Sequence, residues 1–277
     1  MCIRDRLWSL QWTGLVPVLG AWVGAKVVVG LALLWVLWRS RRLAAPGWAA
    51  LRDQLPFVAT IGVTNLIGLL NYRVGLFVVE RVLGLSATGV YSIAVVAAEL
   101  LWFVSSSLTQ AAYSRIGTPD RATAAATTVR VVQLSVLALL LAAPLLWLAA
   151  QLLVPWLLGR AYAPSVALLA LLLPGVLLFG GASALSAYFT NHAGAPQVPA
   201  RVAAMSLLLN GALALSLVPQ WGMAGAALAA SLSYAASVGL LALRFVRHAG
   251  LPLRALLLPG PHLWRDIQAV ASRARRP

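Results

Sequence analysis

The chain is expected to fold as an all-α polytopic membrane helix bundle with seven transmembrane helices, and three observations predict this. Hydrophobic residues make up 61% of its 277 residues and charged residues only 10%, where a soluble domain carries about 25% charged residues. The apolar residues fall into seven runs, 15–38, 55–83, 86–112, 129–150, 164–189, 202–218 and 222–245, each close to or above the ~17–25 residues that cross a bilayer as a helix. The basic residues, 21 against six acidic ones, collect in the short segments between these runs. A net charge of +15 distributed in this way is a topology signal rather than a soluble basic face, and nucleic acid is not an expected partner. The single cysteine, Cys2, cannot form an internal disulfide. Three scattered histidines and six acidic residues offer neither metal-ligand spacing nor a carboxylate pair for hydrolysis, so no catalytic residue, metal or cofactor is expected and the chain does not read as an enzyme.

Residues 1–14 carry arginines but no apolar core with a small-residue cleavage site, so they read as an outer-side leader and a poor signal peptide. The first run, 15–38, has Gly20 and Gly24 on a small-residue face that favours close helix approach. Lys26 lies 11 residues into it, ~17 Å along the axis and near mid-membrane. Its side chain either snorkels or faces a cavity, and at that depth the cavity is the expectation.

After a basic segment at 39–54, the second run carries Arg73 about two-thirds of the way across, with Glu80 expected as a solvated carboxylate near the far end. As one helix, 55–83 would be ~43 Å long, so it must tilt, bend or extend past the ~30 Å hydrocarbon core. The third run bears a polar seam: Ser92, Glu99, Ser106 and Tyr113 recur every seven residues, with Gln110 beside them. A seven-residue repeat keeps them on one helical stripe, expected to face other helices or a cavity. Glu99, near mid-membrane, is expected to be protonated or paired with Lys26 or Arg73. It serves either as a structural ion pair or in coupling.

The remaining runs carry no intramembrane charge apart from Arg130, at the start of the fourth, and Arg244, at the end of the seventh. The fourth contains Pro144, and the fifth contains Pro174-Gly175 and Gly180-Gly181, where a break is expected. The sixth and seventh are separated by a turn at Pro219-Gln220-Trp221, and residues 247–277 form a basic tail. The domain reading is therefore a leader at 1–14, a bundle over 15–246 and a cytoplasmic tail at 247–277. If the tail is cytoplasmic, the segments on its side hold 15 cations and the opposite side four, Arg4, Arg6, Arg81 and Arg160. This bias orients the bundle. It places the amino terminus outside with no signal sequence, the pattern expected of a piece of a longer transporter.

Three stretches, NYRVGLFVVERVLGLSATGVYSIAVVAAEL from Asn71, VPWLLGRAYAPSVALLALLLPG from Val154 and FTNHAGAPQVPARVAAMSLLLNGALALSLVPQWGMAGAALAASLSY from Phe189, occur in an order that resembles the carboxy-terminal half of Wzx-type oligosaccharide flippases of the MOP superfamily. The resemblance covers about Leu51 to Arg247. It implies part of a bundle of twelve to fourteen helices in two similar halves around a central cavity. It further implies a lipid-linked oligosaccharide with an anionic diphosphate headgroup as substrate, membrane lipids as surroundings, and the bacterial cytoplasmic (inner) membrane as location. Lys26 and Arg73 would then be the cavity cations that bind the headgroup, Glu99 a coupling or ion-pair residue, and Ser92, Ser106 and Gln110 polar cavity lining. The family pattern often has an acidic residue two positions after the arginine, where this chain has Gly75. A drug or small-molecule exporter of the same superfamily, a membrane glycosyltransferase or O-antigen polymerase, and a non-catalytic membrane scaffold are the competing readings. The glycan, the coupling ion and the oligomeric state have no signature in the sequence.

Overall fold

The structure, a computed structural model, describes residues 15–39 and 48–257. Among these residues every regular element is helical. Physical chemistry requires this of so apolar a chain, since hydrocarbon offers no partner for backbone polar groups and a helix satisfies them internally. The leader at 1–14, Arg41 and Arg42, and the tail beyond 257 lie outside the described residues.

The chain forms two compact units, Met1–Pro56 and Phe57–Pro277. The first contains helix α1 (Leu15–Arg39) and the start of α2 (Trp48–Leu83). Along α1 two cations sit one turn beyond a tryptophan: the Lys26 ammonium lies 5.4 Å from the Trp22 ring and the Arg39 guanidinium 5.4 Å from the Trp35 ring. The four-residue spacing puts each pair on one helical face, within cation–π range.

The second unit contains the rest of α2, then α3 (Leu85–Ala111), α4 (Arg121–Leu157), α5 (Pro164–Phe179), α6 (Ala182–Ala187) and α7 (Gln197–Ala249). Among the described residues of both units, six helical segments are long and apolar enough to cross a membrane. The last of them counts twice. A straight helix of its 53 residues would be ~80 Å long, far beyond the ~30 Å core. At Gly222, however, the backbone takes φ 59° and ψ −142°, a region open in practice only to glycine, and the chain reverses there. The two limbs then run side by side, with the Ser206 hydroxyl donating to the Ser233 carbonyl at 3.3 Å. Among the described residues this makes seven segments long enough to cross.

One helix overruns its apolar run because its start is fixed by a side-chain cap rather than by hydropathy. α4 begins at Arg121, eight residues before its apolar run, since the Asp120 carboxylate accepts from the backbone N–H groups of Ala122 (3.3 Å) and Thr123 (2.9 Å). Hydrogen bonds from Thr123, its side chain first, hold that carboxyl below its usual range. The fifth crossing is continuous through Pro174 and is interrupted at Gly180-Gly181, between α5 and α6. Ser231 explains the continuity: its hydroxyl donates to the Leu171 carbonyl at 2.6 Å, beside the point where proline disturbs the helical ladder. Gly175 lets that serine approach, for a Cβ there would lie 2.4 Å from Ser231 Cα. Ala226, Ala227, Ala229 and Ala230 on the same limb are buried, so α5 and the second limb of α7 meet through small side chains, as membrane helices commonly do.

The core has two parts. One gathers Val79, Tyr91, Leu169, Val176 and Val218; the other gathers Ile116, Leu185, Tyr188, Phe245 and Val246. The second adjoins the connections at 112–120 and 191–196, which are tied together: Tyr113 donates to Asn191 Oδ1 at 3.0 Å, and His192 Nδ1 lies 2.7 Å from the Thr118 carbonyl. Gly222 neighbours Leu83, placing the turns at 84 and 222 together at the other end. Phe77, Phe103, Leu141, Leu145, Leu208 and Leu215 remain exposed, an outer surface suited to acyl chains.

Candidate functional site

On α2, Ile61, Thr64, Asn65, Gly68, Asn71 and Tyr72 recur at intervals of three or four residues and share one face. That face walls a cavity of about 410 Å³. Trp102 and Ser106 close it from α3, Phe179, Ser183 and Ser186 from α5 and α6, and Ser206, Ser237 and Leu241 from α7, while Thr190, Pro196 and Pro199 carry the lining to the connection at 191–196. Its volume falls within the ~300–1,000 Å³ usual for small-molecule sites. Among the described residues the lining carries hydroxyls, amides and aromatic rings but no charged side chain.

The deep end of the cavity is closed by four packed rings. Tyr72 and Trp102 have centroids 4.3 Å apart, Trp102 and Phe179 5.6 Å, and Phe179 and Tyr234 5.0 Å. Tyr72, Trp102 and Phe179 line the cavity, while Tyr234 is buried behind them. Beyond the rings is a void of about 10 Å³ bounded by Gly75, Tyr91, Glu99 and Asn210, room for about one water. Beside it Asn71 donates to the Ser206 hydroxyl at 3.0 Å, and Asn210 donates to both the backbone and side-chain oxygens of Asn71 at 3.0 Å. This buried network fastens α2 to the first limb of α7. Interhelical hydrogen bonds of this kind contribute about 0.6–2 kcal/mol each in membranes.

Arg73 and Glu99 come together across α2 and α3, with Nη1 to Oε1 and Nη2 to Oε2 both at 3.5 Å. Charge-assisted hydrogen bonds normally measure ~2.7–2.9 Å, so this is a loose pair. The Arg73 side chain is 38% exposed and that of Glu99 22%.

The other residues singled out in the sequence fall in different places. Ser106 lines the cavity. Ser92 instead donates to the Gly89 carbonyl of its own helix at 2.8 Å, and Gln110 is exposed in the last turn of α3. Glu80 is exposed three residues before the end of α2. Lys26 belongs to the other unit, over Trp22. Of the neutral lining, Ser106 alone was anticipated. Asn65, Asn71 and Tyr72 had a signal, the three-to-four-residue repeat of polar and small residues within an apolar run. Trp102 and Phe179 had none, since an aromatic residue in a membrane helix is usually lipid-facing or core.

A bundle of helices long and apolar enough to cross a membrane, around an uncharged cavity with hydroxyls, amides and rings in its wall, defines a polytopic membrane protein. The family comparison makes this specific: residues 10–167 match the model of a family described as polysaccharide biosynthesis protein. That is more than half of the chain, and the chain belongs to this family. No curated protein and no solved structure shows a significant match.

Proposed function

We propose that the protein is a Wzx-type flippase that carries a polyprenyl-diphosphate-linked oligosaccharide from the cytoplasmic to the outer leaflet of the bacterial inner membrane during cell-surface polysaccharide synthesis. The observation that carries this reading is the cavity: an uncharged chamber whose largely apolar wall carries serine, threonine and asparagine side chains, in a chain of the polysaccharide biosynthesis family. A glycan crossing hydrocarbon must exchange its hydration for other donors and acceptors, and a wall of serine, threonine and asparagine supplies both kinds.

The anionic headgroup needs a cation instead. Arg73 takes that role, its guanidinium a fork on phosphate oxygens. Glu99 holds the guanidinium loosely enough at 3.5 Å for a phosphate to compete. The lining extends to Thr190 and Pro196, at the end of the bundle where Arg115 lies in a connection and Arg121 and Arg201 in the first turns of α4 and α7. With the carboxy terminus cytoplasmic, that is the side on which lipid-linked glycans are loaded. A drug exporter for cations would favour carboxylates in the wall, and a glycosyltransferase or polymerase would need acidic or histidine groups in a sizeable outer loop.

Depleting the protein in its own host tests the reading. The expected result is loss of surface polysaccharide with build-up of complete lipid-linked oligosaccharide in the inner membrane. Accumulation of incomplete oligosaccharide would point to a glycan-building enzyme instead.

A further inference from the structure

The cavity also has features that bear on which sugar it accepts. Resting on the flippase reading, we propose that this chamber is a subsite for an uncharged sugar ring, with the aromatic floor of Tyr72, Trp102 and Phe179 receiving its apolar face, and that it discriminates against sugars bearing a carboxylate.

A pyranose has two kinds of surface. One face is largely C–H and packs on aromatic rings, whereas its hydroxyls each need a donor and an acceptor. The cavity offers both: three rings at its deep end, and Asn65, Ser106 and Ser186 on its walls, whose amides and hydroxyls can donate and accept. Trp102 presents its ring to the chamber, and an aromatic face packs against C–H surface. The volume of about 410 Å³ holds a short saccharide rather than a long repeat unit.

Charge supplies the discrimination. Among the described residues no cation lines the chamber, and the nearby arginine is already opposed by Glu99 at 3.5 Å. A uronic acid entering would lose water from its carboxylate and gain no counter-ion. Neutral hexoses and N-acetylhexosamines meet no such penalty.

The test uses the intact protein purified in detergent, with saturation-transfer NMR against methyl β-glucoside, methyl N-acetyl-β-glucosaminide and methyl β-glucuronide. The two neutral glycosides should receive saturation, most strongly on one C–H face, and the glucuronide should not. Trp102→Ala should weaken neutral binding about tenfold or more, while Trp102→Phe, which keeps a ring and tests against misfolding, should retain most of it. Ser106→Lys, on the cavity wall, should confer glucuronide binding. Equal binding of glucuronide and glucoside by the unaltered protein, binding of neither, undiminished glucoside binding in Trp102→Ala, or no gain in Ser106→Lys would each overturn the proposal. Translocation of lipid-linked oligosaccharide measured on the same samples separates the two readings. A protein that translocates but binds none of these glycosides loses the sugar subsite alone, and one that does not translocate loses the flippase reading.

Discussion

An arginine two-thirds of the way along a membrane helix needs either a partner or a task, because a charge at that depth costs about 3 kcal/mol on insertion scales. Arg73 has a partner in Glu99, but both contacts are 3.5 Å long and the guanidinium is more than one-third exposed. Contacts that long fall short of good charge-assisted hydrogen bonds, and on the phosphate-binding reading the arginine exchanges this partner for a phosphate. Arg73→Lys should therefore keep partial transport, since the charge survives and only the two-pronged geometry is lost. Arg73→Ala should lower transport about tenfold or more, the effect of losing one charged contact of ~1.4 kcal/mol or above, with membrane abundance nearly unchanged. The double change Arg73→Ala with Glu99→Gln decides between roles, because it removes the uncompensated carboxylate along with the arginine. Restored transport in that double mutant, measured with protein level and glycan export side by side, would retire phosphate binding in favour of a structural pair.

At the level of the helix, Gly222 concentrates the constraint. Its φ of 59° and ψ of −142° are strained for any residue with a Cβ, so Gly222→Ala should destabilise the last hairpin by about 1–3 kcal/mol. Gly239, helical and with open space at its Cβ position, serves as the control, where alanine should be neutral or stabilising by up to ~1 kcal/mol. Equal thermal stability of the two variants in detergent would contradict the hairpin geometry. The helices were legible in the sequence because hydrocarbon length and hydrophobicity fix them together. Their ends were less so: the Asp120 cap and the reversal at Gly222, one residue beyond Trp221, depend on local backbone geometry that hydropathy does not carry. Pro174 reads as a break in one dimension but not in three, since Ser231 sits 57 residues away in sequence and reaches its helix only after folding. The same divide applies to the site. Ser106 stood out as a polar residue in an apolar run and lines the cavity, while Glu99 bounds only the small void beyond its ring floor and Arg73 lines neither; the Asn71–Asn210 clamp joins residues 139 apart and needed tertiary contacts to be seen.

For the whole molecule, orientation and transport are coupled claims. The cation-rich connections should face the cytoplasm, and the structure puts 112–120 and 191–196 at one end and the turns at 84 and 222 at the other. With Cys2 replaced by serine, a cysteine at Ala122 should be shielded from an impermeant thiol reagent in intact cells, and one at Ala161 should label; both sites are exposed on the protein surface. Labelling at Ala122 with protection at Ala161 would invert the orientation and place the loading side of the cavity outside. The cavity gives the bundle its function only if a glycan crosses through it. The most direct measurement reconstitutes the intact protein into vesicles containing a polyprenyl-diphosphate-linked oligosaccharide labelled on its sugar with a dithionite-reducible fluorophore. Protein-containing vesicles should lose fluorescence from both leaflets as the inner pool is flipped outward, with the rate falling in Arg73→Ala. A protected inner-leaflet pool as large as that in protein-free vesicles would contradict the account.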